Sequence, residues 1–305
     1  MGRGVIRRLS VAALVVFAGC SRAQEPAPAP PDTTHAARPE PPPRPAPRYR
    51  ALQLSGESAL VDLQNALGSK RFALFLKANR VDLAHVRDTD TLALPDSSLD
   101  TLDLSPFPPA LAGVASAPKM ILVSVRVQAF GAYESGRLVR WGPTSTGKKA
   151  TPTPLGLYHA NWKAKQRYST VNDEWLLKWC VNIQNHDGIS LHEYELPGRP
   201  ASHSCVRLAA DDAEWVYGWV DQWKLDADHR VVQPGTPVLV FGEYAWSKPG
   251  PWKRLPEDPD AASTTPAELD SALRVAFPPP PVAAADSSAA PHDSIPVDTI
   301  RPASG

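Results

Sequence analysis

Through the middle of the chain, apolar and polar residues alternate in runs too short for helices. Ile121, Val123 and Val125 fall on one side of an extended chain and Leu122, Ser124 and Arg126 on the other, so 119–128 reads as a strand. Glu134-Ser135-Gly136 has the residues of a hairpin turn, and 137–141 returns from it. The Gly142-Pro143 pair and the Ser/Thr/Gly/Pro-rich run to Gly156 predict irregular chain. Further strands are expected at 157–162, at 174–183, from Ile189 to His192, and at 231–232 and 238–241. One stretch breaks the period of two. Asp211 and Glu214 stand at the spacing of a capping box, and Trp215, Val216, Trp219, Val220 and Trp223 then repeat on one helical face. That stripe is read as a core face packed against the sheet, ahead of a sugar-binding platform. Short strands with one amphipathic helix predict a mainly β fold, an antiparallel sandwich carrying one packed helix.

The flanks follow other patterns. Residues 50–95 predict a small helical module: Leu60, Val61, Leu63, Ala66 and Leu67 share a face that Gly68 ends, and Phe72, Leu74, Phe75 and Leu76 begin a second helix. Residues 96–117 are a Pro/Ser/Asp-rich linker to a main domain at 118–255. Ten of the 34 prolines fall in 26–47 and seven in 278–302. They set off a spacer at 21–49, inclined to polyproline II, and a tail at 256–305 expected to be disordered apart from a short helix at 266–275. Lys and Arg balance Asp and Glu, and no basic stripe appears, which argues against a nucleic-acid partner. Arg3, Arg7 and Arg8, the apolar run from Leu9 to Phe17 and the small residues Ala18-Gly19 before Cys20 form a signal peptide over 1–20. The run is too short for a membrane span. Phe17-Ala-Gly-Cys20 resembles a bacterial lipobox, and that resemblance implies a lipid anchor on Cys20 at the periplasmic face of the envelope, the outer membrane favoured. Ordinary secretion with cleavage near Ala23 is the competing expectation.

The candidate chemistry sits on Ile189-Ser-Leu-His-Glu-Tyr-Glu-Leu-Pro-Gly-Arg-Pro-Ala-Ser-His-Ser-Cys-Val-Arg-Leu208. A strand bearing His192 runs into a Pro/Gly loop that returns Ser202-His203-Ser204-Cys205 towards it. A thiol becomes a strong nucleophile when an imidazole takes its proton, giving a thiolate–imidazolium pair. Cys205 is the candidate nucleophile. His192 is the favoured base, and His203, two residues from the thiol, is its rival. Glu193 follows His192 on the opposite strand face and is a poor orienter of the ring. Cys180 reads as a buried thiol, with a Cys180–Cys205 disulfide as the alternative in an exported protein. His186, His192, His203 and Cys205 are of the ligand types zinc takes, but no Cys-x-x-Cys or His-Glu-x-x-His pairing accompanies them, and neither metal nor cofactor is expected.

Ser202-His-Ser-Cys-Val-Arg-Leu208, with His192 upstream and Ser145-Thr-Gly-Lys148 and Thr151-Pro-Thr-Pro-Leu-Gly156 before them, resembles the L,D-transpeptidases of the YkuD type. Glu193 and Ser204 stand where that family has glycine. The resemblance implies a peptidoglycan stem peptide as substrate and a Cys205 thioester. It further implies a backbone carbonyl orienting the base and the N–H groups of Ser204 and Cys205 as the oxyanion hole, with Ser202 in support. Arg207 has the planar fork for a substrate carboxylate, with a structural ion pair as the equal alternative. Hydrolysis at the same site would make a carboxypeptidase, and an inactive wall-bound lipoprotein is the third reading. Asn79 to Pro95 resembles the second half of a LysM wall-binding repeat, against the reading of 50–95 as a structural cap. The oligomeric state is left open.

Overall fold

The computed structural model describes residues 47–277, apart from 97 and 170. The signal segment with Cys20, nearly all of the spacer and the tail beyond 277 lie outside the described residues. Strand β1 (Tyr49–Leu52) and helix α1 (Ala59–Asn79) are the first elements of the described residues, and β2 (Leu92–Pro95) pairs antiparallel with β1. Gly68 divides α1 with a left-handed φ of 69°, as its sequence predicts, and Arg80 ends it at φ 61°. Phe72, Phe75, Val81, Val86 and Leu92 give this region a small core of its own. The expected helical module thus also contains a two-stranded ladder, whose four-residue strands are too short to carry a pattern.

The main sheet has nine strands. Along the chain these are β3 (Lys119–Ser124), β4 (Ala129–Glu134), β5 (Arg137–Ser145), β6 (Gly156–His159), β7 (Lys163–Tyr168), β8 (Leu176–Gln184), β9 (Ile189–Glu193) and β10 (Val206–Leu208), followed after α2 (Ala210–Trp219) and the small hairpin β11 (Lys224–Leu225) and β12 (Val231–Gln233) by β13 (Pro237–Phe241). Their spatial order is β6-β13-β3-β4-β5-β10-β9-β8-β7. The alternation along β3 is realised across two cores. Ile121 and Val123 join Val181, Leu191, Val206 and Val216 between the two halves of the curled sheet and α2, whereas Met120 and Leu122 pack on the other side with Phe107 and Trp141. The fold is mainly β, as expected.

Three local expectations are corrected. The span 119–128 is a strand and a tight reversal, with Gln128 at φ 48°. Strand β5 runs on through Gly142-Pro143 to Ser145, and a Cβ at Gly142 would stand 2.0 Å from an Asp212 oxygen, so glycine there lets α2 approach the sheet. Helix α2 starts from Ala209 without a side-chain cap, and Asp212 is buried against Lys77 (3.2 Å) and Arg140 (2.7 Å). Ala213, Val216 and Val220 form the buried face of α2, while Trp215 and Trp219 stack on each other half-exposed at 5.1 Å. Arg140 lies over the first ring and Lys119 over the second, so both rings already have cationic and aromatic partners.

In the tail, the short helix expected at 266–275 forms as α3 (Pro266–Ala276), capped by Thr265, and it packs on the domain. Leu269 and Leu273 enter the core beside Phe107, and Arg126 holds Glu268 through Nε and Nη2.

Candidate active site

The site forms where β10 lies between β5 and β9. Strands β9 and β10 run parallel with Arg207 opposite His192, and Arg207 also stands opposite Ser145 on β5. Past the end of β5, Ser145-Thr-Gly-Lys148 continues along the turn that carries Cys205. Ala201 and Ser202 both donate their N–H to Thr146 O (2.9 and 3.0 Å), and Lys148 N–H donates to Ser202 O (2.9 Å). A Cβ on Gly147 would meet Thr151 O at 2.2 Å, so only glycine permits this close approach. The two ordered motifs of the sequence are therefore adjacent layers of one site.

Cys205, His192, His203, Ser202 and Arg207 line one narrow cavity of about 30 Å³, roofed by Trp175 from the β7–β8 loop. His192 is buried, and its Nδ1–H donates to Glu193 O at 2.8 Å. A carbonyl only accepts, so in the neutral ring Nε2 keeps its lone pair. His203 is held differently: the Lys148 ammonium donates to its Nε2 at 2.9 Å, and Trp175 meets the ring edge-on at 5.6 Å. The Cys205 thiol points to Gly188 O (3.8 Å) and makes no hydrogen bond to either imidazole. Burial pushes the Cys205 thiol above its ordinary range and His192 down to about 4. Both groups are therefore neutral at rest.

Ser204 sits at φ 77°, the left-handed backbone that glycine adopts freely and serine at about 1 kcal/mol. The turn is tied on both sides: Thr153 Oγ1 donates to Ser204 O (2.8 Å), and Ser202 Oγ donates to Cys205 O. Because a peptide's N–H and C=O point in opposite directions, the Thr153 bond also aims the Cys205 N–H. Neither the Ser204 nor the Cys205 N–H donates to a protein acceptor among the described residues. Arg207 lies over the Tyr194 ring at 4.5 Å and has no ion-pair partner among the described residues. Cys180 and Cys205 are both free thiols, so the disulfide alternative does not form. His186 is 92% exposed and outside the cavity, which separates it from the other three residues of the zinc reading. Sequence reasoning missed the roles of Lys148, Thr153 and Trp175; the first two lie in the earlier motif, while Trp175 carries no local signal.

Residues 118–240 match the family model described as the L,D-transpeptidase catalytic domain, YkuD. No curated protein matches the chain. Similar solved structures include an L,D-transpeptidase from Stackebrandtia nassauensis (23% identity, 42% of this chain and 57% of that one, TM-score 0.34). Others are one from Mycobacterium smegmatis (20%, 41% and 59%, TM-score 0.33) and L,D-transpeptidase 1 of Mycobacterium tuberculosis (23%, 41% and 62%, TM-score 0.32). The chain spans less than two thirds of the length of each. It is the segment carrying Cys205, His192 and His203 that matches the L,D-transpeptidase catalytic-domain model.

Proposed function

We propose that this chain is an L,D-transpeptidase acting on peptidoglycan stem peptides, with Cys205 as nucleophile and His192 as general base. The observation that carries the choice of base is the contrast between the two rings. His192 Nε2 is left free by the Nδ1–H bond to Glu193 O, in the cavity that holds Cys205, whereas the lone pair of His203 Nε2 is occupied by Lys148. His203 then braces the turn and does not accept the thiol proton.

Attack begins when the thiol leaves Gly188 O and presents its proton to His192. As the Sγ–C bond forms at the carbonyl of the diamino acid, that proton passes to Nε2 and the carbonyl oxygen takes the negative charge. The N–H groups of Ser204 and Cys205 stabilise it. The C–N bond to D-Ala then breaks, and the leaving amine takes the proton from His192. An amine of a second stem attacks the thioester, gives its proton to His192 and forms the new amide as the C–S bond breaks and the thiol is restored. One amide replaces another, so no external energy source is required. Water in place of the amine gives the carboxypeptidase outcome. Arg207, without an acidic partner, is suited to a substrate carboxylate. A lipid anchor on Cys20 would hold the enzyme at the periplasmic face of the envelope, where this substrate lies.

Intact-mass measurement after incubation with a carbapenem tests the site. Wild type should gain one adduct, Cys205→Ala none, His192→Ala should acylate roughly 10²-fold or more slowly, and His203→Ala less than tenfold more slowly. A larger loss in His203→Ala than in His192→Ala refutes the assignment of the base. Digested sacculi analysed after treatment with the protein distinguish new cross-links from trimmed stems.

A further inference from the structure

A second cavity, about 480 Å³, opens beside the narrow one and shares Arg207 with it. Its walls come from three places. Asp88 belongs to the segment before the sheet, Glu195 and Arg199 to the β9–β10 loop that leads directly to Cys205, and Tyr244 and Lys253 to the segment after β13. The first and third lie outside residues 118–240, so these walls are not part of the matched domain. The added walls are fixed in place. Asp82, six residues before Asp88, accepts from Leu196 N–H at 2.8 Å, and Arg80 O accepts from Gly198 N–H at 3.1 Å. On the other side, Trp252, next to Lys253, is buried beneath Gly250, where a Cβ would stand 2.3 Å from the indole.

The charges lining this cavity lie at its open surface: Arg199, Asp88 and Glu195 are exposed and Lys253 is half-buried. Arg199 and Lys253 form no ion pair among the described residues, and neither do Asp88 and Glu195. Cations and carboxylates facing one volume without pairing suit a ligand that carries both signs. The volume is in the range of small-ligand sites, whereas the cavity at Cys205 holds little more than the reacting group.

We infer that this cavity is a peptide subsite, reached past Arg207, that holds a zwitterionic stretch of stem peptide: Arg199 and Lys253 take its carboxylate, Glu195 and Asp88 its ammonium. The inference rests on the proposed function for the identity of the peptide, but the site itself is defined without the thiol. The test uses the Cys205→Ala protein, so that nothing is turned over, and the free tetrapeptide of a peptidoglycan stem as probe. Calorimetry should show saturable binding that weakens at least tenfold when Arg199→Glu and Lys253→Glu are added. Amidation of the peptide carboxylates should weaken binding to the unaltered cavity, and the amidated peptide should bind the charge-reversed protein no more weakly than the unaltered one, because the contact that the reversals remove is then already absent. Equal affinity of the free tetrapeptide for both proteins, or no saturable binding, overturns the subsite. Carbapenem adduct formation by the wild-type protein reports on the nucleophile alone. Loss of that adduct would strike the proposed function, whereas an intact adduct with unsaturable tetrapeptide binding would overturn the subsite only.

Discussion

At the scale of single residues, the site depends on burial opposing charge. His192 donates from Nδ1 to its neighbour's carbonyl and is otherwise enclosed, and its pKa falls to about 4 because the imidazolium is poorly solvated there. In the unfolded chain the same ring protonates near its ordinary value of about 6.5. Between those values the unfolded state binds the extra proton, so stability is complete above about pH 6.5 and falls as the pH drops towards 4. The loss is on the order of 3 kcal/mol. Urea denaturation at pH 7.5 and pH 5 should show wild type losing more stability than His192→Gln, which has no proton to gain. An equal loss in both would mean that the ring is not held neutral. The Cys205 thiol is raised by the same burial, so the ultraviolet absorbance of a thiolate should be missing at neutral pH and grow in only in the alkaline range. Cysteine and both histidines were legible in the sequence because their spacing around a Pro/Gly loop is local. The distinction between the histidines was not, since it depends on Lys148, 55 residues from His203.

At the scale of elements, the sequence pattern was clearest where one face of a strand meets one core, as in β3 and β9. It failed where an element is held by something distant. Strand β5 passes through Gly142-Pro143 because Asp212 of α2 must come close, and Asp211, the expected cap of α2, lies inside the helix with its carboxylate on Arg140. The clearest such tie is Arg80. Its side chain is 1% exposed, donates from Nε to Val127 O (3.0 Å) and from Nη1 to Lys77 O and Ala78 O (2.9 and 3.1 Å), and lies within 6 Å of the Trp141 and Trp252 ring centres. Burial lowers its pKa to about 10, which still leaves it charged at neutral pH. One guanidinium thus joins the end of α1, the turn after β3 and the segment after β13. Arg80→Ala should cost on the order of 3–5 kcal/mol in denaturant unfolding, since it takes the side-chain donor from Val127 O and Ala78 O and leaves a void between two indoles. Arg80→Lys should recover only part of that, because an ammonium has neither the fork nor the flat face.

At the scale of the whole molecule, composition divides the chain into module, linker, domain and tail, whereas the structure joins the described parts through contacts. Proline-rich, charge-bearing text such as 256–265 reads as tail because nothing local demands order. What orders it is Trp252 beside Arg80 and, beyond it, α3 on the outer face of the sheet. Gly113 leaves the space that Leu273 fills, since a Cβ there would stand 2.8 Å from the leucine's Cδ1. A chain ended after residue 256 loses Leu269 and Leu273 from the core, at roughly 1.5–3 kcal/mol each, and leaves Arg126 without the carboxylate it grips. Its urea midpoint should fall by an amount equivalent to at least about 3 kcal/mol. Glu268→Ala in the full chain should cost about 1–2 kcal/mol, separating the ion pair from the apolar contact. An unchanged midpoint in the shortened chain would return 257–277 to the status of a tail, and with it the view that the fold closes where the family match ends.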